Sequence, residues 1–310
     1  MSWGRLLLKV GQKLLLSLPV LWLVVSLVFL LIHLVPGDPV QQMLGEGAPP
    51  ANVAAMRHAY GLDLPLGEQY LRYWRGVLHL DLGQSVRLNR PVTQLILQRY
   101  PYTAALAVAA ILLAVVFSLP AGVASARHRG KWQDHMLGVV SLLGVSFPPF
   151  ALAPIVIWVF AIYLGWLPVS GAEGPEYIIL PALTMGAALS AILTRMIRTS
   201  LLEELGQDYI RTARAKGLSE RAVLYRHALR NALVPLLTIL GLQFGVLLAG
   251  AIVTETIFAW PGVGRLTITA ISNRDYALAQ GCILAAGVTY VLVNLLTDVL
   301  YVLVNPRMRV

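Results

Sequence analysis

Residues 103–126 read TAALAVAAILLAVVFSLPAGVASA, 24 positions without one charged side chain. A helix rises 1.5 Å per residue, so about 20 apolar residues cross the hydrocarbon of a bilayer. Five further runs resemble this one: 14–35, 136–164, 178–194, 232–258 and 281–304. All exceed the roughly 10-residue alternating strands of a membrane barrel. The pattern predicts an all-α polytopic membrane protein with six transmembrane helices.

Composition agrees. Of 310 residues, 57% are apolar and 13% charged, and mean hydropathy is +0.71. An ordinary soluble domain is about a quarter charged, which excludes a soluble enzyme as the default. Low charge and high hydropathy exclude disorder, and the single cysteine, Cys282, excludes a disulfide scaffold. The first run follows Arg5, Lys9 and Lys13, as a signal peptide would. Its 22 apolar residues exceed a signal's usual core, and Pro36-Gly37-Asp38-Pro39 follows in place of an Ala-x-Ala site. It is expected to remain as an anchor.

Six crossings put both termini on one side, together with segments 126–135 and 195–231. That side holds 16 Lys and Arg in 66 residues, against 8 in the 101 residues opposite. The positive-inside rule places both termini in the cytoplasm. The formal charge of +9 resolves into +11 inside, 0 outside and −2 within the spans. It marks membrane orientation and not a nucleic-acid surface. The expected organisation is 1–35 as N-terminus and first helix, 36–101 as an extracytoplasmic cap, and 102–310 as a five-helix core carrying the loop 195–231.

The cap segment has helical patterning. Leu66, Tyr70, Leu71, Trp74 and Leu78 form an apolar stripe. Pro50 suits a helix start running to Tyr60, with Gly61 as its stop. Gly83 and Asn89-Arg90-Pro91 read as turns. Pro148-Pro149 interrupts the third span. Two readings stand there, a packing kink and a hinge beside a pathway. Gly241, Gly245 and Ala249 give the fifth span a face that another helix can approach closely. Glu255 lies near the outer end of that span. Asn294, Asp298, Tyr301 and Asn305 share one face of the sixth. Charge facing lipid is expensive, so Asn294, Asp298 and Glu255 are expected to face protein, as a translocation path or as interhelical polar contacts.

No phosphate-binding Gly-rich loop, H-E-x-x-H zinc pair or G-x-S-x-G elbow occurs. The six histidines lack ligand spacing. No catalytic residue and no metal site is assigned, which leaves transport, channel or scaffold roles.

The loop RMIRTSLLEELGQDYIRTARAKGLSERAVLYRHALRN (195–231) carries eight of the chain's 24 Lys and Arg. It reads as two short helices. Asp208 is a candidate N-cap for the first, Gly217 suits a left-handed stop followed by Leu218, and Ser219 can cap the second. Ile210, Ala213 and Leu218 offer an apolar patch among Arg211, Arg214 and Lys216. Such an elbow suits docking into a partner's groove, and a basic loop also suits anionic lipid.

This loop resembles the "EAA" coupling loop of ABC importer permeases, within them the dipeptide/oligopeptide/nickel family. The resemblance runs nearly end to end. It includes Val35-Pro36-Gly37-Asp38-Pro39, Gly61-Leu62-Asp63 and Leu80-Asp81-Leu82-Gly83. It continues through Asp208-Tyr209-Ile210-Arg211-Thr212-Ala213-Arg214-Ala215-Lys216-Gly217-Leu218 and His227-Ala228-Leu229-Arg230-Asn231-Ala232. It closes with Glu255-Thr256-Ile257-Phe258, Trp260-Pro261-Gly262-Val263-Gly264-Arg265, Arg274-Asp275-Tyr276 and Asn305-Pro306-Arg307. Arg211 and Thr212 depart from the Glu-Ala of the general motif, while Ala213 and Gly217 keep their places.

The resemblance implies a type I ABC importer-like fold and a non-catalytic permease subunit. It implies a homologous second permease as heterodimer partner, two ABC ATPase subunits and an extracytoplasmic substrate-binding protein, all at a lipid bilayer. No cofactor is expected in this chain, because ATP and Mg would be bound by the ATPase subunits. It makes Asp208, Tyr209, Arg211, Ala213, Arg214, Lys216, Gly217 and Leu218 the ATPase-coupling residues. The expected substrates are di- or oligopeptides, with nickel chelates or glutathione as alternatives. Outside this class stand an ion-coupled secondary transporter and a membrane scaffold without transport.

Overall fold

A computed structural model describes residues 3–34, 39–44 and 47–304. The motif residues at 35–38 and 305–307 and the side chains of Ala249 and Tyr301 lie outside what it describes. The chain opens with α1 (Trp3–Leu34), α2 (Pro39–Leu44), α3 (Pro50–Ala59) and α4 (Leu66–Leu78). Next come α5 (Val92–Arg127), α6 (Trp132–Ser146) and α7 (Pro149–Val156), the last continued by a π-helical stretch over Ile157–Tyr163. A short lead-in, Pro175–Ile178, opens α8 (Ile179–Leu205). Then follow α9 (Asp208–Ala215), α10 (Glu220–Ala222), a π-helical turn over Val223–Ala228 and α11 (Leu229–Ala232). The last four are α12 (Val234–Gly250), α13 (Ile252–Ile257), α14 (Val263–Ser272) and α15 (Tyr276–Val304).

Among the described residues, four stretches are long and apolar enough to cross a membrane: Gly11–Leu31, Val92–Arg127, Pro175–Leu205 and Tyr276–Val299. The expected third span, 136–164, is not one helix. It is the pair α6 and α7, bent by 107° at Phe147-Pro148. Prolines 148 and 149 have no N–H for the carbonyls of Gly144 and Val145, so the helix breaks there. The expected fifth span, 232–258, is also divided. The 17-residue α12 ends at Gly250 and α13 restarts at Ile252.

Close approaches fix the direction of each segment. Positions 122 and 110 of α5 meet 197 and 186 of α8, with Gly122 against the Ile197 side chain and Gly186 against the Ala110 carbonyl. Both indices rise together, so α5 and α8 run parallel. The segment between them must therefore carry the chain back along them. It does so despite its bend. Asp134 meets Arg198, Gly144 meets Ala191, and Ala153 and Val156 cluster with Leu180. That climb spans about 18 residues of α8, on the order of 27 Å. Beside α15, α1 and α12 run antiparallel, through Val24 against Gly287 and Gly241 against Thr297. Successive long segments thus alternate in direction.

Helix ends differ from the apolar runs. Helix α5 starts 11 residues before the expected 103 and α8 runs 11 residues beyond the expected 194. Residues 195–205 are therefore three turns of α8, and the free part of the 195–231 loop is shorter than its apolar boundaries imply. In the cap, α3 begins at Pro50 and Gly61 takes φ +66°, as expected. Gly83 and Asn89 are also left-handed, at φ +81° and +52°. The α4 stripe needs correction. Tyr70 stacks edge-on with Phe29 of α1, and Tyr73, Trp74 and Val77 pack beside Val25 and Val28, while Leu66, Leu71 and Leu78 are exposed. The buried face is centred on the aromatic residues and not on the leucines.

Candidate coupling elbow

The elbow grows from the end of α8. Helix α9 has Gln207 at its N-cap position, and Asp208 is the first helical residue with no capping bond. The expected Asp208 cap is thus corrected. Its carboxylate sits in the positive first turn of α9 and meets Arg211 at 3.3 Å. The far end stops as the sequence predicts. Gly217 takes φ +78°, its N–H bonds the Arg214 carbonyl at 2.9 Å and Leu218 N–H bonds the Ala213 carbonyl at 3.3 Å. This paired pattern satisfies two orphan carbonyls, and a side chain at Gly217 would carry the left-handed penalty. Ser219 then caps α10 by accepting the Ala222 N–H.

Burial divides the elbow into two faces. Ile210 and Ala213 are buried with Leu201, Val223, Ala228 and Leu229. They anchor α9 to the bundle and are closed to a partner, contrary to the expected docking patch. Tyr209, Arg211, Lys216 and Leu218 are exposed, with Asp208 and Arg214. Arg214 reaches Glu220 through two hydrogen bonds of 2.8 and 3.2 Å, closing α9 onto α10. The guanidinium holds the Glu220 carboxyl below its ordinary range. Tyr209 donates to Glu204 and accepts from Asn231. Burial, then the Glu204 bond, raises the phenol's titration. The outward surface is a compact, mostly cationic knob on a rigid apolar base.

The other predicted residues do not join this site. Glu255 of α13 is fully buried against the N-terminus of α14. Its carboxylate accepts from Thr103 Oγ1 at 2.7 Å and from the Arg265 N–H at 2.9 Å. Thr103 Oγ1 in turn accepts the Val263 N–H at 2.9 Å. Gly262 and Gly264 let the carboxylate reach the helix N-terminus, because a Cβ on either would overlap it. Asp298 pairs with Lys13 of α1 at 2.6 Å. Among the described residues, Asn294 Oδ1 is buried with no hydrogen-bond partner, beside Gly245. Gly241 and Gly245 face Thr297 and Tyr290 of α15. Pro148 and Pro149 lie on the exposed break between α6 and α7.

Sequence reasoning missed two anchors. Asp134 is buried and accepts from Arg198 Nε and Nη2, Ser125 Oγ and the Gly130 N–H, tying the α5–α6 turn to α8. Asp275 is buried at the start of α15, where it accepts from Ser85 Oγ at 2.5 Å and from the Leu278 N–H at 3.2 Å. A carboxylate flanked by turn residues is a visible signal, but the partners lie 64 and 190 residues away.

Residues 7–107 match the family of binding-protein-dependent transport system membrane components, N-terminal part, and residues 118–310 match the family described as binding-protein-dependent transport system inner membrane component. The glutathione transport system permease protein GsiC of Salmonella paratyphi A is 43% identical over 298 residues, covering 96% of this chain and 97% of that one. GsiC of Escherichia coli K12 is 42% identical over the same length. Among solved structures, the inward-facing MetNI methionine ABC transporter matches with TM-score 0.57 and 18% identity, over 68% of this chain and 97% of that one. The fold is that of an ABC importer permease, and the chain belongs to the family of binding-protein-dependent transport system inner membrane components.

Proposed function

We propose that this permease serves an ATP-driven importer of peptide-like solutes of glutathione size, with the elbow as the element that receives ATPase motion. One observation carries the coupling reading. Helix α9 is bolted to the bundle through Ile210 and Ala213 and presents Arg211, Lys216 and Leu218 outward. A force applied to that knob reaches α8 and α11 without passing through a flexible loop. Family membership and the GsiC relatives support the transport class and the glutathione-like substrate. Two ATPase subunits, a second homologous permease and an extracytoplasmic binding protein complete the machine. The chain supplies a lever and a path, and hydrolysis stays with the ATPases. The differential grip of ATP-bound and free ATPases on the elbow sets the conformer balance.

Six crossings with both termini cytoplasmic fit the alternating helix directions and the concentration of Lys and Arg. The break at Pro148-Pro149 supports a place on the solute path. Its freed carbonyls are tolerated at membrane depth only against protein or a water-filled cavity. The test is uptake of labelled glutathione and of a labelled dipeptide into proteoliposomes holding the whole complex. Gly217→Asp should abolish uptake while the chain stays in the membrane. Its new Cβ meets nothing within 4 Å among the described residues, so the effect should come from the left-handed backbone and the docking surface. Full uptake by that variant would refute the coupling assignment.

A further inference from the structure

Tyr209 sits on the exposed side of the elbow, yet its hydroxyl is engaged within the chain. The oxygen donates to Glu204 Oε2 at 2.5 Å and accepts from Asn231 Nδ2 at 3.0 Å. Glu204 lies in the last turn of α8 and Asn231 in α11, which leads into α12. One atom therefore joins the coupling helix to the helix entering the elbow and to the helix leaving it. Among the described residues, no other side-chain hydrogen bond ties α9 to α8 or α11. Ile210 and Ala213 hold α9 to the core by apolar contact, which is non-directional and leaves the angle of the helix unspecified. Hydrogen bonds with defined angles fix the orientation. Glu204 also sits at the negative end of α8, where helix stability disfavours it.

We propose that Tyr209 is a positioning residue, a latch that makes α8, α9 and α12 move as one when the ATPases pull. The proposal rests on the coupling reading above and deepens it. Docking is left to Arg211, Lys216 and Leu218, and the tyrosine sets how faithfully displacement becomes span motion.

Tyr209→Phe keeps the ring and deletes the oxygen. The complete transporter is reconstituted in proteoliposomes with labelled glutathione as the probe. The ATPase subunits should co-purify at the wild-type level and hydrolysis should stay within about twofold. Uptake per ATP should fall about tenfold, the scale of one charge-assisted hydrogen bond. Glu204→Gln retains an acceptor and should keep the ratio near wild type, while Glu204→Leu should reproduce Tyr209→Phe. An unchanged ratio in Tyr209→Phe overturns the latch. Loss of co-purification in that variant overturns it too, by assigning Tyr209 to docking. The coupling reading fails earlier and separately, if the wild-type chain retains no ATPase, and the latch falls with it.

Discussion

Arg198 of α8 grips Asp134 of α6 through two parallel hydrogen bonds of 2.6 and 2.8 Å. Ser125 Oγ and the Gly130 N–H fill the remaining acceptor sites of the carboxylate. The fork geometry belongs to arginine, and removing either partner strands a charge at the α5–α6 turn. Asp134→Asn should therefore destabilise the chain by about 2 kcal/mol, a buried-pair loss discounted because Arg198 is partly exposed. The check is the thermal midpoint of the detergent-solubilised complex. Arg198→Lys should lie between wild type and Asp134→Asn.

Gly262→Ala should prevent accumulation of folded chain. The added methyl overlaps the Glu255 carboxylate, which is fully buried and has no room to retreat. Glu255→Gln keeps the shape and should be milder than Glu255→Leu, which leaves the Arg265 N–H unpaired at a cost of roughly 1–3 kcal/mol. Membrane yield of the three variants gives the order, and a wild-type yield for Gly262→Ala would contradict the packing.

Gly241→Ala should loosen the α12–α15 contact, because its Cβ would overlap the Thr297 side chain. Gly245→Ala should be tolerated far better, since its Cβ meets Tyr290 at 3.3 Å. Thr297→Ala should partly rescue Gly241→Ala, a non-additivity expected of residues in contact. Protease resistance of the purified chain reports all four combinations.

The Arg214–Glu220 clasp is expected to be insensitive to pH through the physiological range. Glu220 titrates below its unfolded value of 4.5 because Arg214 donates to it. A depressed carboxyl contributes above the unfolded value and loses that contribution as pH falls through the folded one. Amide protection factors in α9 and α10, normalised to the intrinsic exchange rate at each pH, should thus hold constant from about pH 8 to 6 and fall only in acid. Glu220→Gln should remove the acid dependence.

Four of the six expected spans and the turns of the elbow were legible in the residues because each is encoded locally. Pro148-Pro149 announces its own break, Gly217 its own left-handed stop and Ser219 its own cap. Helix ends were not legible. Apolar runs report membrane depth, and α5 and α8 continue as helices past it, through Arg99 and Pro101 at one end and Arg195 at the other. Faces were partly legible. Leu71 and Leu78 looked buried by spacing, but α1 offers Phe29 and Val25 to the tyrosines instead. Glu255 was visible as costly, yet its partners Thr103 and Arg265 meet it only after folding. Tyr209 stands among the expected ATPase-coupling residues, but nothing local names Glu204 and Asn231 as its partners.

Helix α15 is tied at each end to a different neighbour. Asp275 at its start holds Ser85 of the cap, and Asp298 near its finish holds Lys13 of α1. A strut pinned at both ends can tilt but cannot slide along its axis. Any shift imposed on the cap therefore becomes a pivot of α15 against the glycine face of α12. An angle set where Ser85 meets Asp275 is thereby carried along the helix to Asp298.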